Sequence, residues 1–114
     1  MHTKNKPIRR LKKRHEFLRL QRLGQRSKTA HLVLISKPVR DLGRIGFTVA
    51  KNVGRAHTRN LVKRRLRHIA REHAFMFEKR DLIILALPEA ANASFQDLQK
   101  DVQRAYEGIR SRSR

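Results

Sequence analysis

Asn60, Lys63, Arg64, Arg67 and Arg71 are separated by steps of three and four residues, the spacing that stacks side chains on one face of a helix. Val62, Leu66, Ile69, His73 and Phe77 share the opposite face, so one side is built to be buried and the other presents four cations in a row. The ordinary explanation of such a row is a solvated charged face. Here no acid interrupts it before Glu72, so the i to i+4 ion pairs of a solvated helix are missing and like charges repel along it. That imbalance favours a surface that binds the phosphates of a nucleic acid.

Other chemistries are poorly supplied. Histidine acid–base cleavage of a phosphodiester needs two imidazoles on one phosphate, but the six histidines are scattered, and His57, His68 and His73 have no i to i+4 pair among them. His73 falls on the apolar side, where packing is its expected role. Two-metal cleavage needs clustered carboxylates, and residues 1–80 contain only Glu16, Asp41, Glu72 and Glu78. The absence of cysteine removes disulfide partners, thiolate metal sites and cysteine nucleophiles. No catalytic residue and no protein-held metal site is expected. Five Phe, one Tyr and no Trp leave few platforms for stacking bases. Phe17, between Arg14 and Arg19, reads equally as a residue anchoring a short helix to the core or as part of a nucleic-acid groove.

The charge is unevenly placed. The 114 residues carry 29 Lys and Arg against 9 Asp and Glu, a formal +20. Residues 1–80 hold 24 of those cations and 4 acids, while residues 81–114 hold 5 of each, so the first 80 residues carry the whole excess. Self-repulsion of that size calls for a polyanionic partner. Nucleic acid fits better than a membrane surface, because no helix pairs a basic face with Trp, Phe and Leu anchors. The longest apolar run, Leu82 to Leu87, is too short to span a bilayer, and no apolar signal region follows the charged start, so a cytoplasmic, soluble protein is expected. The length suits a single domain over 1–114, with a basic arm over 1–14 and a short basic tail over 110–114. The arm reads either as a segment mobile until it meets its partner or as a solvated tail.

Periodicity supplies the elements that must position the basic row. A short helix over 15–23 ends at Gly24, and strands are expected over 31–36 and 44–49. Asp41 and Gly43 between them suggest an antiparallel hairpin. The basic helix is expected over 56–77. Asp81 to Leu87, almost wholly apolar, reads as a central strand. Ser94 opens a last helix, with Asp97 in the capping-box position and Phe95, Leu98, Val102, Tyr106 and Ile109 on its apolar face. The order predicts an α+β fold, helices packed on a small sheet.

Residues 46–67, GFTVAKNVGRAHTRNLVKRRLR, resemble the protein subunit of bacterial ribonuclease P. That family has a strand ending in a Lys-containing loop, then Val or Ile, Gly, one residue, Ala, two residues, Arg-Asn, and a Lys-Arg cluster. The segments from Arg10 to Phe17, from Asp81 to Ala86 and from Ser94 to Leu98 also fall where the family has similar ones, so the likeness covers roughly residues 8–107. The resemblance implies a ribosomal-protein-like two-layer sandwich around a mixed sheet, with a left-handed βαβ crossover. It implies that a large RNA subunit and its Mg2+ ions carry the chemistry. The protein would bind that ribonuclease P RNA, contact the 5′ leader of precursor tRNA and raise substrate and Mg2+ affinity. Carried over by position, Arg59, Asn60, Lys63, Arg64 and Arg67 would lie against the catalytic RNA, with Lys51 and Arg71 as further cations. Phe17 would sit in a leader-binding cleft with Gln21, Val33 and Ile35. Three positions depart from the family: Leu61 stands where a third basic residue often follows Arg-Asn, that contact being absent or supplied by Arg65. Gln21 replaces a second aromatic, and Asn52 stands where some members have Lys. On the residues alone, a ribosomal or general RNA-binding protein is the alternative.

Overall fold

A computed structural model of the chain describes residues 9–112. In chain order it contains α1 (Arg14–Leu23), β1 (Gln25–Lys28), β2 (Leu32–Pro38), β3 (Ile45–Val49), α2 (Ala56–Glu72), β4 (Arg80–Ala86) and α3 (Phe95–Arg112). Single 3-10 turns at Lys51–Val53, Ala74–Phe77 and Pro88–Asn92 join them.

The four strands form one mixed sheet in the order β1-β2-β4-β3. β2 runs antiparallel to both β1 and β4, whereas β3 and β4 are parallel, joined by α2 as a crossover. This overturns the expected hairpin, because β2 and β3 are not neighbours and β4 lies between them. The reason lies in β4 itself. Its alternate residues Leu82, Ile84 and Ala86 enter one apolar cluster and Ile83 and Leu85 the other, so only a central position buries both faces. The link between β2 and β3 is held instead to the segment entering β4, with Val39 N–H donating to Lys79 O at 2.9 Å and Gly43 N–H to Phe77 O.

One face of the sheet is covered by α2 and α3. Leu66, Ile69, Leu98, Val102 and Ile109 pack there with Leu32, Leu34, Ile45 and Ile84, all of them fully buried. α1 crosses the other face with Leu20 and Phe17 over Ile35 and Ile83, adding a partial third layer. Gly46 makes this crossing possible: a Cβ there would lie 2.4 Å from the Phe17 ring.

Other boundaries also differ from the expectation. α2 stops at Glu72 rather than running to Phe77, because His73 turns out of helical geometry (φ −120°, ψ 43°) and its N–H reaches back to the Ile69 and Ala70 carbonyls. The His73 ring Nδ1, 3.0 Å from Ile69 O, closes the same end. At the start of α3, Ser94 Oγ accepts from Asp97 N–H at 3.0 Å and Asp97 Oδ2 from Ser94 N–H at 3.3 Å, the expected capping box. Residues 1–8 of the basic arm and 113–114 of the tail lie outside the described residues. Of the remainder, Arg9 to Leu11 run along β3, with Ile45 N–H donating to Arg9 O at 2.9 Å and Leu11 N–H to Ile45 O at 2.8 Å. This part of the arm is docked by its own backbone. Arg110 and Arg112 continue α3.

Candidate nucleic-acid interface

The basic row is set by how α2 begins. Gly54 adopts φ +152°, a region open to glycine and strained for other residues, and turns the chain from β3 and its 3-10 turn into the helix. From there the buried face of Val62, Leu66, Ile69 and Ala70 fixes the rotation of the helix against the sheet. The opposite side carries Asn60, Arg64 and Arg71 exposed and Lys63 and Arg67 half-buried, while Arg59, one turn before Val62, is half-buried at the start of the inward face. None of these cations makes an ion pair among the described residues, and Nε of Arg59 and of Arg67 is buried without a hydrogen-bond partner there. The first turn holds no acid, so the positive end of the helix dipole adds to the row. Lys51 is exposed in the 3-10 turn just before α2.

The acid at the end of the row is engaged, with Glu72 Oε2 3.2 Å from His68 Nε2. Arg65, whose residue number falls inside the row, belongs to the scaffold. Its guanidinium donates to Ala93 O at 2.9 Å, which ties α2 to the turn before α3. Arg65 therefore does not stand in for the cation that Leu61 replaces.

A second surface lies beside α1. Val33 and Leu85 face the same side of the sheet as α1, with Phe17 and Gln21 half-buried at the helix edge. Val33 is 8% exposed, whereas Ile35 is fully covered by the end of α1 and offers no surface. The two readings of Phe17 are compatible: its ring packs on the cluster and over Gly46 while part of it stays open to solvent. The pairing register adds two cations that sequence reasoning missed. Arg26 is opposite Ile35 and Lys28 opposite Val33, which puts both on this face, and both are exposed. Their strand, Gln-Arg-Ser-Lys, has no apolar alternation and reads as a polar turn, so nothing in the sequence marked it.

α1 is locked over the sheet by charge. Arg44 Nη1 donates to Glu16 Oε2 at 2.7 Å, Arg44 Nη2 lies 3.6 Å from Asp81 Oδ2, and the Arg44 backbone N–H donates to Asp81 Oδ1 at 2.8 Å. The Arg44 hydrogen bond holds the Glu16 carboxyl below its ordinary range, and the same contact raises Arg44. On the far side, buried Asp101 accepts from Thr29 Oγ1 at 3.0 Å and His31 N–H at 2.9 Å, with His31 Nδ1 at 2.8 Å.

His31 is engaged with Asp101 at the sheet edge, while His68 and His73, both at the C-terminal end of α2, are engaged with Glu72 and the Ile69 carbonyl. Among the described residues no three His, Asp or Glu side chains assemble as metal donors. No helix among them is long and apolar enough to cross a membrane.

Comparison with known proteins points one way. A family model described as Ribonuclease P matches residues 6–110. The chain is 44% identical over 93 residues to a ribonuclease P protein component from Nocardioides sp., a match covering 80% of this chain and 79% of the relative. It is 34% identical over 104 residues to the one from Citrifermentans bemidjiense, covering 90% of each. The solved ribonuclease P protein of Staphylococcus aureus has the same fold, with a TM-score of 0.80 at 24% identity over 89% of this chain and 94% of that one.

Proposed function

Since the chain belongs to the ribonuclease P protein family, we propose that it binds the catalytic ribonuclease P RNA through α2 and assists that RNA in removing the 5′ leader from precursor tRNA. The observation that carries this reading is the row of Lys63, Arg64, Arg67 and Arg71 without ion pairs among the described residues, with Asn60 at its head and Arg59 beside it, on a helix held by its buried face. Phosphates of a folded RNA are the partner that relieves such a row. Lys51 extends the surface toward β3.

The leader, in this reading, runs over the open sheet face beside α1. Phe17 offers the edge of a ring and Gln21 a hydrogen-bonding amide. Val33 and Leu85 form an apolar floor, Arg26 and Lys28 supply cations for the backbone, and Ile35, on the same face but covered by the end of α1, packs beside the floor. Magnesium ions are held by the RNA, and the protein raises their affinity and that of the substrate by ordering the RNA and the leader. The work is done in the cytoplasm.

The test is a reconstitution. Precursor tRNA is incubated at low Mg2+ with the protein alone, with a bacterial ribonuclease P RNA alone, and with both. The expected result is 5′ cleavage that is strong only in the mixture. Cleavage by the protein alone would refute the subunit role, and failure to stimulate the RNA would favour a general RNA-binding protein.

A further inference from the structure

Leu61 departs from the family's run of cations, and it is half-buried on α2. With Arg64, Arg65, His68 and Phe95 it lines a shallow hollow of about 400 Å3 between α2 and the start of α3. Three features of this hollow suit one flat, anionic-tailed guest. The Phe95 and His68 rings meet edge to face, centroids 5.3 Å apart at 74°, so an aromatic wall is already ordered before anything binds. The Arg65 guanidinium, held by Ala93 O, supplies a second fixed plane. Arg64 is exposed without an ion pair among the described residues, and it belongs to the basic row.

The Glu72 carboxylate is not part of the lining and is oriented by His68 at 3.2 Å and Gln99 at 3.5 Å. At the head of α3 the Asp97 N–H is already taken by Ser94 Oγ. We propose that this hollow receives one unstacked nucleobase of the bound RNA, the base laid against Leu61 and Phe95 and its phosphate on Arg64. This rests on the reading of α2 as the RNA-binding face and deepens it. An apolar side chain at position 61 then has a purpose: a long cation would fill the space in which the base lies. Stacking between aromatic or guanidinium planes is how proteins hold splayed RNA bases.

The experiment titrates the full chain against a bacterial ribonuclease P RNA over a series of salt concentrations. It compares Phe95→Leu, Leu61→Gln and Arg64→Ala with the original. Phe95→Leu keeps the apolar volume under α3, and Leu61→Gln is at home on a helix surface, so circular dichroism should find both folded. Both are expected to weaken binding on the order of tenfold, with the slope of log K against log salt unchanged. Arg64→Ala should flatten that slope by about one. Base-specific methylation should find an unpaired nucleotide protected by the original chain and reactive again with either hollow variant. Folded Phe95→Leu and Leu61→Gln that bind the RNA as tightly as the original overturn the proposal. If these variants instead lose self-association by light scattering while RNA binding is intact, the hollow belongs to a second copy of the chain and the proposal also fails. If the original chain does not bind the RNA at all, the reading of α2 itself falls.

Discussion

Gly46 and Arg64 work in opposite ways, one by leaving space and the other by keeping a charge free. Gly46→Ala would put a methyl 2.4 Å from the Phe17 ring, so either the ring or the whole of α1 must move. The expected cost is about 1–3 kcal/mol, read from urea unfolding, with a change in the near-ultraviolet fine structure of the phenylalanines as α1 shifts. Arg64→Ala should leave the urea midpoint near that of the original chain, since the side chain is exposed and makes no ion pair among the described residues. In RNA titrations it should lower affinity and remove about one unit of salt slope; an unchanged slope would deny it a phosphate. Arg65 separates residue type from role. Its place in the Lys-Arg cluster suggests another RNA cation, but rotation about the helix turns it to the Ala93 carbonyl. The Ser94–Asp97 box, by contrast, is a purely local pattern and forms as its spacing predicts.

At the scale of elements, α1 is the piece whose attachment depends on pH. Glu16 titrates below its ordinary value of 4.5 because Arg44 donates to it in the folded chain. A carboxyl whose folded pKa is lowered contributes stability that is fully present above its unfolded value and is lost as pH falls through the folded one. The melting temperature should therefore fall as the solution is taken from neutral pH to below about 4.5. Asp97, held down by the Ser94 backbone N–H, adds a loss of the same sign at α3. Glu16→Gln should melt earlier at pH 7 and show a smaller drop on acidification; thermal scans of both chains at several pH values check this. An equal drop in the variant would mean that the Glu16–Arg44 pair contributes nothing. Element identity was largely legible: α1, α2, α3 and β4 follow apolar periodicity, and β4 takes the central place its composition requires. β1 was not legible, because four polar residues pair with β2 only once β2 is in place.

Across the whole molecule, the excess of cations acts on stability and on binding in opposite directions. The formal +20 lies within residues 1–80, and the cations of the basic row of α2 make no ion pair among the described residues. Added salt screens their mutual repulsion, so the free protein's melting temperature should rise, on the order of 5 °C between low and moderate ionic strength. The same salt should weaken RNA binding steeply. Thermal scans and titrations over one salt series check both trends, and a melting temperature that falls with salt would mean that surface ion pairs outweigh the repulsion. By itself, the sequence determined the cationic excess, the basic face of α2 and the apolar character of β4, because composition and helix and strand periods are local properties of the chain. Only the tertiary structure decided that β4 separates β2 from β3, that Arg26 and Lys28 join Phe17 on one face, and that Leu61 and Phe95 close a hollow beside Arg64. Those depend on which distant segments bury one another, a competition settled by the whole core at once.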